Sequence, residues 1–409
     1  MRLISLGLAL CALGAAASTD YHTRRDALRK ALPGGVIALI GHVEQTGDVF
    51  RFYQDPDFFY LTGWKQPGAM LLIDPQREVL FLPQHDPERE KWTGLQPAAS
   101  DANIRDLTGF DAVLPVERFE SELHASLEKW RTIYTVGDEA KTRLRAFAPL
   151  REVQSAQLAI THLRAKKSPA EIELIQFAID STIAAHLAAW KQAAPGMFEY
   201  QISGAMEAVY LSRGCERDSY SPIVGSGPNS VYLHYDRNER RMDRGEVLLM
   251  DVGAECAGYA ADVTRTIPVG TKFSPRQREI YEIVLGAQKA VIAAVKPGAT
   301  LGRTTPNSLF QVAMEYINAH GKDLHGEPLG KYFTHGIGHS VGLEVHDAFE
   351  SGAPLEEGMV ITVEPGIYIP EESIGVRIED MVLVTKDGAR LLTGALPREA
   401  AEIEKAIAK

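Results

Sequence analysis

The sequence is poor in cysteine, in basic charge and in long uninterrupted apolar runs. Its 409 residues include three cysteines, too few for a fold held together by disulfides. Acidic residues outnumber basic ones by 54 to 43, and the formal charge of −11 argues against a nucleic-acid surface and against binding to anionic lipid. The sequence also contains no short-period repeat and no low-complexity tract. A small neutral or zwitterionic substrate fits this charge better.

The composition is that of a folded protein with two domains. A chain of 409 residues exceeds one ordinary domain, and two domains of about half that length can each bury a full core. Hydrophobic residues make up 45% of the chain and charged residues 24%, while 35 glycines and 22 prolines indicate many turns. We expect a fold of the α+β class, with a smaller α/β domain at the N-terminus.

Residues 1–18 have the pattern of a signal peptide. Arg2 gives a basic start, an apolar run follows, and small residues lead up to Ser18. The run is too short to span a bilayer, and Leu10 before Cys11 matches a lipoprotein cleavage site poorly. We therefore expect an exported protein, periplasmic or secreted, without a membrane anchor. A buried N-terminal segment is the alternative.

Removal of that peptide leaves Cys215 and Cys256 as the cysteines of the mature chain. The two side chains could pair or stay as buried free thiols, which is the commoner state, and the sequence does not decide between them. Two cysteines do not fix the redox compartment.

Residues 19–160 are predicted to form the small α/β domain, because strand-like apolar runs alternate with helical patterns. Asp74-Pro75-Gln76-Arg77 separates two of the runs and predicts a hairpin. The predicted elements are a helix over Arg24 to Ala31, strands over Val36 to Ile40, Ala69 to Ile73 and Glu78 to Leu82, a helix over Arg118 to Trp130 and a strand over Thr132 to Val136.

Residues 161–409 are predicted to form the second, α+β domain. Ser168 and Glu171 flank Pro169 in the pattern of a capping box, and the helix that begins there has an apolar stripe until Pro195 and Gly196. Runs rich in Val, Ile and Thr predict strands of a sheet that carries polar residues. We expect helices over Pro275 to Val295 and Thr304 to His320, and strands over Gly245 to Val252, Tyr259 to Val269, Gly358 to Ile369 and Val376 to Thr385.

Four carboxylates stand in or beside these strand-like runs: Asp251, Asp262, Glu364 and Glu379. Acids are costly to bury without a partner, although either aspartate alone could be a turn or cap residue. With a histidine they form an oxygen-rich donor set that suits Mn, Fe, Co or Zn. Four carboxylates carry too much charge for one divalent ion, so we expect two ions.

Three histidines, His335, His339 and His346, lie close together in the sequence. Gly336 and Gly338 disfavour a helix between the first two, so the segment is predicted to be extended. His335 and His339 then share one side by the two-residue period, while His346 need not. We expect one of the three to be a ligand and the others to face substrate. Taken singly, His335 could equally be a core or surface histidine.

Two other features are candidates for the same cleft. A loop rich in Gly, Pro and Asn leads to His234 and could form one wall, although an ordinary hairpin with an incidental histidine explains it too. Arg377 could orient a carboxylate through its planar fork, or form a surface ion pair. The remaining histidines that we assign to the surface are His124, His162, His186, His320 and His325.

The thirteen residues from His335 to Asp347, HGIGHSVGLEVHD, resemble the proline-peptidase signature of the pita-bread metallopeptidases, a family that includes methionine aminopeptidase, Xaa-Pro aminopeptidase and prolidase. Further motifs follow the family's order over roughly residues 160–409: LHY at His234, MDVG at Asp251, ADVTRT at Asp262, TVEPGIY at Glu364 and RIED at Glu379. The segment RFYQDPDFFYLTG at residues 51–63 resembles the N-terminal domain of aminopeptidase P, which single-domain methionine aminopeptidases lack.

The resemblance implies a role for each matched residue. His234 and His346 would contact the substrate carbonyl and its tetrahedral intermediate, His335 would line the site with Tyr368 and Arg377, and Glu364 would pass a proton to the leaving nitrogen. It also implies an internal two-fold relation within a pita-bread catalytic domain. The implied metal ligands are Asp251, Asp262, His339, Glu364 and Glu379, with Asp262 and Glu379 bridging both ions.

The expected activity is hydrolysis of the N-terminal Xaa-Pro bond of peptides by a hydroxide that two divalent ions share. Mn²⁺ is the first choice of ion, with Zn²⁺, Co²⁺ or Fe²⁺ as alternatives. The expected partners are a peptide with proline at its second position and further copies of the chain in a homodimer or homotetramer. Alternatives are a prolidase that cleaves Xaa-Pro dipeptides, a non-catalytic binding module on the same fold, and metal-free C–N hydrolysis as in creatinase, against which the carboxylate set argues.

Overall fold

A computed structural model describes residues 20–44 and 51–408. The chain divides into two compact units, Met1–Arg164 and Ala165–Lys409. The predicted domain boundary at residues 160 and 161 lies a few residues earlier, inside the helix Gln157–Ala165. The predicted signal peptide, residues 1–18, lies outside the described residues.

The first unit is an α/β domain on one mixed six-stranded sheet, with the strand order β4-β3-β2-β1-β5-β6. The β1–β2 and β2–β3 pairs are antiparallel, and the β3–β4, β1–β5 and β5–β6 pairs are parallel. The elements are α1 (residues 20–31), β1 (Gly35–Ile40), α2 (Pro56–Thr62), β2 (Met70–Ile73), β3 (Glu78–Leu82), α3 (Pro87–Thr93), α4 (Ile104–Thr108), β4 (Ala112–Pro115), α5 (Phe119–Leu127), β5 (Thr132–Thr135), α6 (Asp138–Phe147), β6 (Glu152–Ser155) and α7 (Gln157–Ala165).

The predicted hairpin is present as β2 and β3. Asp74 makes the turn because its Oδ1 accepts hydrogen bonds from the backbone N–H groups of Gln76 and Arg77, at 2.8 and 3.0 Å. At the start of β3, Glu78 receives two hydrogen bonds from the Arg25 guanidinium, at 2.7 and 2.9 Å, and both side chains are almost completely buried. This bidentate pair attaches α1 to the sheet.

The second unit has two helix pairs, each followed in the chain by antiparallel strands. α8 packs on α9 and α10 packs on α11, consistent with the internal repeat that the resemblance implies. The elements are α8 (Pro169–Gln192), α9 (Glu199–Ser212), β7 (Arg217–Asp218), β8 (Ile223–Ser226), β9 (Val247–Val252), β10 (Ala254–Cys256), β11 (Tyr259–Ala260), β12 (Val263–Pro268), α10 (Pro275–Ala294), α11 (Leu309–His320), β13 (Val360–Val363), β14 (Gly366–Ile369), β15 (Ile374–Arg377), β16 (Asp380–Thr385), β17 (Gly388–Leu391) and α12 (Ala400–Ile407).

Helix α8 begins at the predicted capping box. The Ser168 hydroxyl accepts from the Glu171 N–H at 3.3 Å, and the Glu171 carboxylate accepts from the Ser168 N–H at 2.9 Å. The helix is long and apolar enough to cross a membrane, with a mean hydropathy of 1.2, and half of that stretch is buried inside the unit. Core helices of globular proteins commonly have these properties.

Three of the four long strands predicted for this unit are broken, each next to one of the candidate ligands. Asp262 lies between β11 and β12, Glu364 between β13 and β14, and Glu379 between β15 and β16. Asp251 alone lies inside a strand, β9. The breaks direct carboxylates out of the hydrogen-bonded ladders, which is why runs of high strand propensity did not form continuous strands.

Two further predictions differ from the structure. Helix α11 begins at Leu309 instead of Thr304, because Ser308 caps it and Asn307 adopts φ +58°. His186, assigned to the surface, is completely buried in α8. Its Nε2 lies 3.1 Å from the Val263 carbonyl, and burial followed by repulsion from Arg265 lowers its pKa to about 3. A neutral ring that donates to this carbonyl is compatible with burial.

Of the two states that the sequence left open for the cysteines, the structure shows the pair. Cys215, just after α9, and Cys256, at the end of β10, form a disulfide across a sequence separation of 41. The chain turns back here through a β7–β10 pair, in which Arg217 lies opposite Glu255, and this pairing brings the two cysteines together. Sequence spacing alone could not show that return.

We predict that replacing both cysteines by serine lowers the free energy of unfolding of the second unit by about 2–4 kcal/mol, because the crosslink no longer restricts the unfolded chain. Thermal unfolding of oxidised protein, reduced protein and the double variant measures this. The reduced protein and the variant should match. Equal melting temperatures for all three would show that no disulfide forms.

Candidate metal centre and substrate cavity

A cavity of about 520 Å³ in the second unit gathers the candidate residues. This volume is that of a small-molecule or peptide site. Its lining contains His234, Asp251, Asp262, His335, His339, His346, Glu364, Arg377 and Glu379, with Tyr220, Ser221, Ile223, Leu233, Asp236, Gly336, Gly338 and Val345. Tyr368, also predicted for the site, is buried and touches this lining through its hydroxyl group.

Asp251 and Asp262 meet at the hydroxyl group of Tyr220. That oxygen lies 2.5 Å from one carboxylate oxygen of Asp262 and in close contact with one of Asp251. The hydroxyl has a single proton and cannot donate to both acceptors at once. The pair therefore has more acceptor oxygens than donors, which is the condition that a bound cation satisfies.

Glu379 adds a third carboxylate to this group. One of its oxygens accepts from the Thr264 hydroxyl at 2.7 Å. Burial, followed by repulsion from Asp262, raises the pKa of Glu379 well above its usual range. Burial also raises the pKa of Asp251, against the attraction of Arg377. These acids are poorly compensated by protein charge alone.

His339 faces the same group. Its Nδ1 lies 3.1 Å from the Ser340 carbonyl, and its Nε2 lies 3.3 Å from Asp262 and 3.6 Å from Glu364. Burial alone would lower the pKa of His339, but Asp262 and Glu364 outweigh it and raise it to about 9. Burial, opposed by His339, raises the pKa of Glu364 to about 7. The Ser340 contact leaves Nε2 as the nitrogen available to a metal.

These donors fit a divalent cation. One possible ligand atom from each of Asp262, His339 and Glu379 lies within 4.8 Å of the other two. Asp251 adjoins this group through Tyr220, and Glu364 adjoins it through His339. Carboxylate oxygens with one imidazole suit Mn, Fe, Co or Zn better than sites built from thiolates.

The segment that carries His339 is not helical, as predicted, but it bends at His335 and Ile337 and forms one isolated bridge, at Ser340. It runs antiparallel to β13: the His339 carbonyl accepts from the Thr362 N–H at 2.9 Å, and the Ile337 carbonyl accepts from the Glu364 N–H at 3.0 Å. A Cβ atom at Gly338 would lie 2.1 Å from the Thr362 carbonyl oxygen. Glycine at this position therefore permits the approach that brings His339 to Glu364.

A buried ion pair holds the far end of this segment. The Lys167 ammonium lies 3.0 Å from Asp347 and 3.2 Å from the Ser340 hydroxyl, and both charged side chains are almost fully buried. Ser340 follows His339 and Asp347 follows His346, so one cation fixes the neighbours of two site histidines. The rings of these two histidines lie 4.2 Å apart, centre to centre.

His335, Tyr368 and Arg377 form a chain of contacts behind the cavity. The guanidinium donates to the Tyr368 hydroxyl at 2.7 Å, and that hydroxyl lies 2.7 Å from His335 Nε2. Burial, followed by repulsion from Arg377, lowers the pKa of His335 to about 3. A neutral His335 accepts a hydrogen bond from the Tyr368 hydroxyl on Nε2, and its Nδ1 lies 3.6 Å from Glu364, which is longer than a hydrogen bond.

Arg377 is buried, which excludes the alternative of a surface ion pair. Its other nitrogens donate to Asp251 at 2.5 Å and to the Thr264 hydroxyl at 3.2 Å. The guanidinium therefore orients a carboxylate, which is the other of the two roles expected for its planar fork. Its direct contact with substrate stays a prediction.

His234 and His346 line the cavity, and both residues are exposed to solvent. Burial and the charge of His339 lower the pKa of His346, so its ring is neutral near pH 7. The structure thus brings all the predicted site residues to one cavity or its wall. Their individual roles toward metal and substrate stay predictions.

Sequence reasoning missed three residues that support the site: Tyr220, Thr264 and Lys167. Thr264 lies in the ADVTRT motif, and its place opposite Asp251 in the β9–β12 pair could have suggested a role. Tyr220 lies in a Ser- and Pro-containing turn, and Lys167 precedes a helix cap, so neither had a local signal.

A buried carboxylate cluster with one imidazole, opening into a cavity of this size, defines a metallohydrolase. Residues 173–386 match metallopeptidase family M24, and residues 21–134 match the aminopeptidase P N-terminal domain. The chain belongs to metallopeptidase family M24, and the predicted family, fold class and enzyme class, a metallo-aminopeptidase, are confirmed.

Individual relatives agree with this assignment. The chain is 35% identical to an Xaa-Pro aminopeptidase of Haemophilus influenzae, over 91% of this chain and 93% of that protein. It is 33% identical to an Xaa-Pro dipeptidase of Pyrococcus horikoshii, over 85% of this chain and 92% of that protein. The solved aminopeptidase PepP of Pseudomonas aeruginosa superposes with a TM-score of 0.87 at 30% identity, covering 95% of this chain and 98% of that one.

We predict different outcomes for two neighbouring histidines. His339→Ala should lose bound metal, because it removes the only imidazole nitrogen among the predicted ligands. His346→Ala should retain metal and lose turnover. Elemental analysis after dialysis, with activity measured on the same samples, separates the two effects. Equal metal loss in both variants would contradict this division of roles.

Proposed function

We propose that this protein is an Xaa-Pro aminopeptidase, which hydrolyses the bond between the first residue of a peptide and a proline at the second position. The observation that carries the proposal is the cavity in which the full set of predicted ligands adjoins three histidines, His234, His335 and His346. The full-length match to a relative named Xaa-Pro aminopeptidase supports the same substrate.

Two divalent ions are proposed as the cofactor, with Mn²⁺ first among them. Four carboxylates would balance two such charges, whereas one ion would leave a surplus of negative charge in a buried place. The residues that would hold the ions are Asp251, Asp262, His339, Glu364 and Glu379. When bound, such ions polarise a carbonyl group and make hydroxide available near neutral pH.

The chain's own residues supply the proton transfers and the positioning. His234 and His346 border the cavity and donate N–H groups to the oxyanion that develops on the scissile carbonyl. Glu364 takes up a proton from the attacking water and passes it to the leaving nitrogen, which in an Xaa-Pro bond has no hydrogen of its own. The neutral His335 lies 3.6 Å from Glu364 and lines the cavity beside it.

The hydrogen bonds that Arg377 makes within the protein favour an aminopeptidase over a dipeptidase. It is the only lysine or arginine among the described residues that line the cavity, and each of its three nitrogens contacts a protein acceptor. A dipeptide places its C-terminal carboxylate close to the scissile bond and needs a free cation there. A longer peptide extends its carboxylate away from the site.

The intact acidic cluster argues against a non-catalytic binding module and against metal-free C–N hydrolysis. A binding module has no need for buried acids whose pKa is raised by burial, as those of Asp251 and Glu379 are. Metal-free hydrolysis has no need for so many carboxylates. Either function predicts a protein that does not retain metal.

The substrate test compares tripeptides Xaa-Pro-Yaa with the matching dipeptides Xaa-Pro on metal-stripped protein reloaded with Mn²⁺, Zn²⁺, Co²⁺ or Fe²⁺. We expect release of the first amino acid from the tripeptide, at least tenfold faster than from the dipeptide, with the highest rate for Mn²⁺. A faster dipeptide reaction would favour a prolidase. No release with any of the four ions would refute the function.

Export and self-association are part of the proposal. The Cys215–Cys256 disulfide is the kind of crosslink that persists in oxidising compartments and is rare in the cytosol, which supports an exported protein. We also propose a homodimer or homotetramer without a membrane anchor, since symmetric homo-oligomers are the commonest assemblies of soluble enzymes.

N-terminal sequencing of the secreted or periplasmic protein should find a chain that begins near residue 19, and light scattering should give two or four times the chain mass. An intact Met1 in a cytosolic fraction would contradict export. A mass of one chain would contradict self-association.

A further inference from the structure

The His234 loop, which we define as residues 226–240, presents a site histidine that has little support of its own. His234 is exposed at the cavity, and its ring makes no hydrogen bond with the residues that the structure describes. A side chain without direct partners takes its position from the backbone that carries it. The anchoring of this loop therefore decides where His234 points.

One buried carboxylate anchors the loop at three places. Glu199, the first residue of α9, is completely buried. It accepts hydrogen bonds from the N–H and hydroxyl groups of Ser226 at 2.6 and 2.7 Å, from the Tyr235 hydroxyl at 2.9 Å and from the Arg240 N–H at 2.9 Å. The Asn229 amide adds a longer contact at 3.4 Å. These donors include the two ends of the loop and the neighbour of His234.

Backbone contacts make the start of α9 a second attachment. The Glu199 N–H donates to the Arg240 carbonyl at 3.0 Å, and the Tyr200 N–H donates to the Asn238 carbonyl at 2.7 Å. The Arg240 guanidinium also pairs with Glu246 at 2.6 Å. The same guanidinium donates to the Ser226 hydroxyl at 2.9 Å and so links the two ends of the loop. Among the described residues, the Glu199 carboxylate is the group that contacts both ends and Tyr235 as well.

The opposite face of the loop packs against the strand that bears Arg377. The Ser230 hydroxyl accepts from the Gly375 N–H at 2.8 Å, and a Cβ atom at Gly375 would lie 1.9 Å from the Ser230 carbonyl oxygen. The loop therefore lies between α9 and β15. If the contacts with α9 are lost, the packing on β15 and a contact of 3.4 Å from Arg377 to the Leu233 carbonyl are what remains next to His234.

We propose that Glu199 is a positioning residue for the Xaa-Pro hydrolysis proposed above, acting through His234. Its carboxylate collects the donors of the His234 loop and fixes the imidazole at the place where the oxyanion develops. The inference rests on the proposed function for its kinetic consequence, while the anchoring itself is measurable without substrate. Misplacement of a catalytic group by about 1 Å can cost roughly a hundredfold in rate.

The test uses Glu199→Gln in the full-length, metal-loaded protein. Glutamine has the same shape as glutamate, but an NH₂ group replaces one of the two acceptor oxygens. This NH₂ group would face a donor, so at least one of the contacts with Ser226, Tyr235 or Arg240 is lost. We expect kcat to fall roughly tenfold to a hundredfold. KM should change less than threefold and metal content should stay the same, because the predicted ligands are untouched.

A matched control is Glu171→Gln, which also removes a buried glutamate that accepts from a backbone N–H, of Ser168, and from a tyrosine hydroxyl, of Tyr259. It should lower thermal stability and leave kcat within twofold. The decisive comparison adds His234→Ala. If Glu199 acts through His234, Glu199→Gln should change kcat less than threefold in the His234→Ala background.

Hydrogen–deuterium exchange supplies a readout that does not depend on catalysis. Amides of residues 228–236 should exchange at least tenfold faster in Glu199→Gln than in the unaltered protein, with no such change in Glu171→Gln. If the unaltered protein fails to cleave Xaa-Pro peptides, the proposed function falls and this exchange result still decides the anchoring. If Glu199→Gln does not fold, Tyr235→Phe removes one of the same contacts and enters the same comparisons.

Two results would overturn the inference. One is an equal loss of kcat from Glu199→Gln with and without His234, since the effect would then bypass the histidine. The other is unchanged exchange in residues 228–236, because the loop would then be held without the carboxylate.

Discussion

The structure of the second unit depends on one electrostatic constraint, the burial of four carboxylates around a single cavity. Asp251, Asp262, Glu364 and Glu379 have one guanidinium and one imidazole, those of Arg377 and His339, as their cationic partners in the cavity lining. Burial raises the pKa of three of the four acids, so the protein alone compensates their charge incompletely. Such an arrangement costs stability unless a cation completes it, and the proposed metal centre accounts for why it persists.

The backbone places these acids at the cavity. Three of the four lie where a strand ends. At two of these breaks a neighbouring segment supplies the hydrogen bond: the Glu364 N–H donates to the Ile337 carbonyl, and the Glu379 N–H donates to the Thr264 carbonyl. Arg265 reinforces the second break, since its buried guanidinium donates to the Glu379 carbonyl and to Asp380, both at 2.6 Å. These three candidate ligands thus lie between hydrogen-bonded ladders, which restrict their positions although the residues themselves are outside regular structure.

Two segments of the cavity wall are each held by one buried side chain that lies outside the lining. Lys167 holds the segment with His339 and His346, and Glu199 holds the loop with His234. In each case one buried side chain outside the cavity lining contacts several donors or acceptors of one segment, which restricts the position of that segment. Buried supporting side chains of this kind are how proteins hold functional groups in place.

Much of this protein follows from its sequence. Local signals predicted the hairpin at Asp74, the capping box at Ser168 and the candidate carboxylate ligands. These signals are turn residues, helix caps and acidic residues within strand-like runs. The break at Glu364 also had a local signal, Pro365 and Gly366, which the strand prediction passed over. The inward direction of Asp262, Glu364 and Glu379 was decided only by the packed cavity. Burial of His186, pairing of Cys215 with Cys256 and the contacts of Glu199 depend on residues distant in the chain, so only the tertiary structure could decide them.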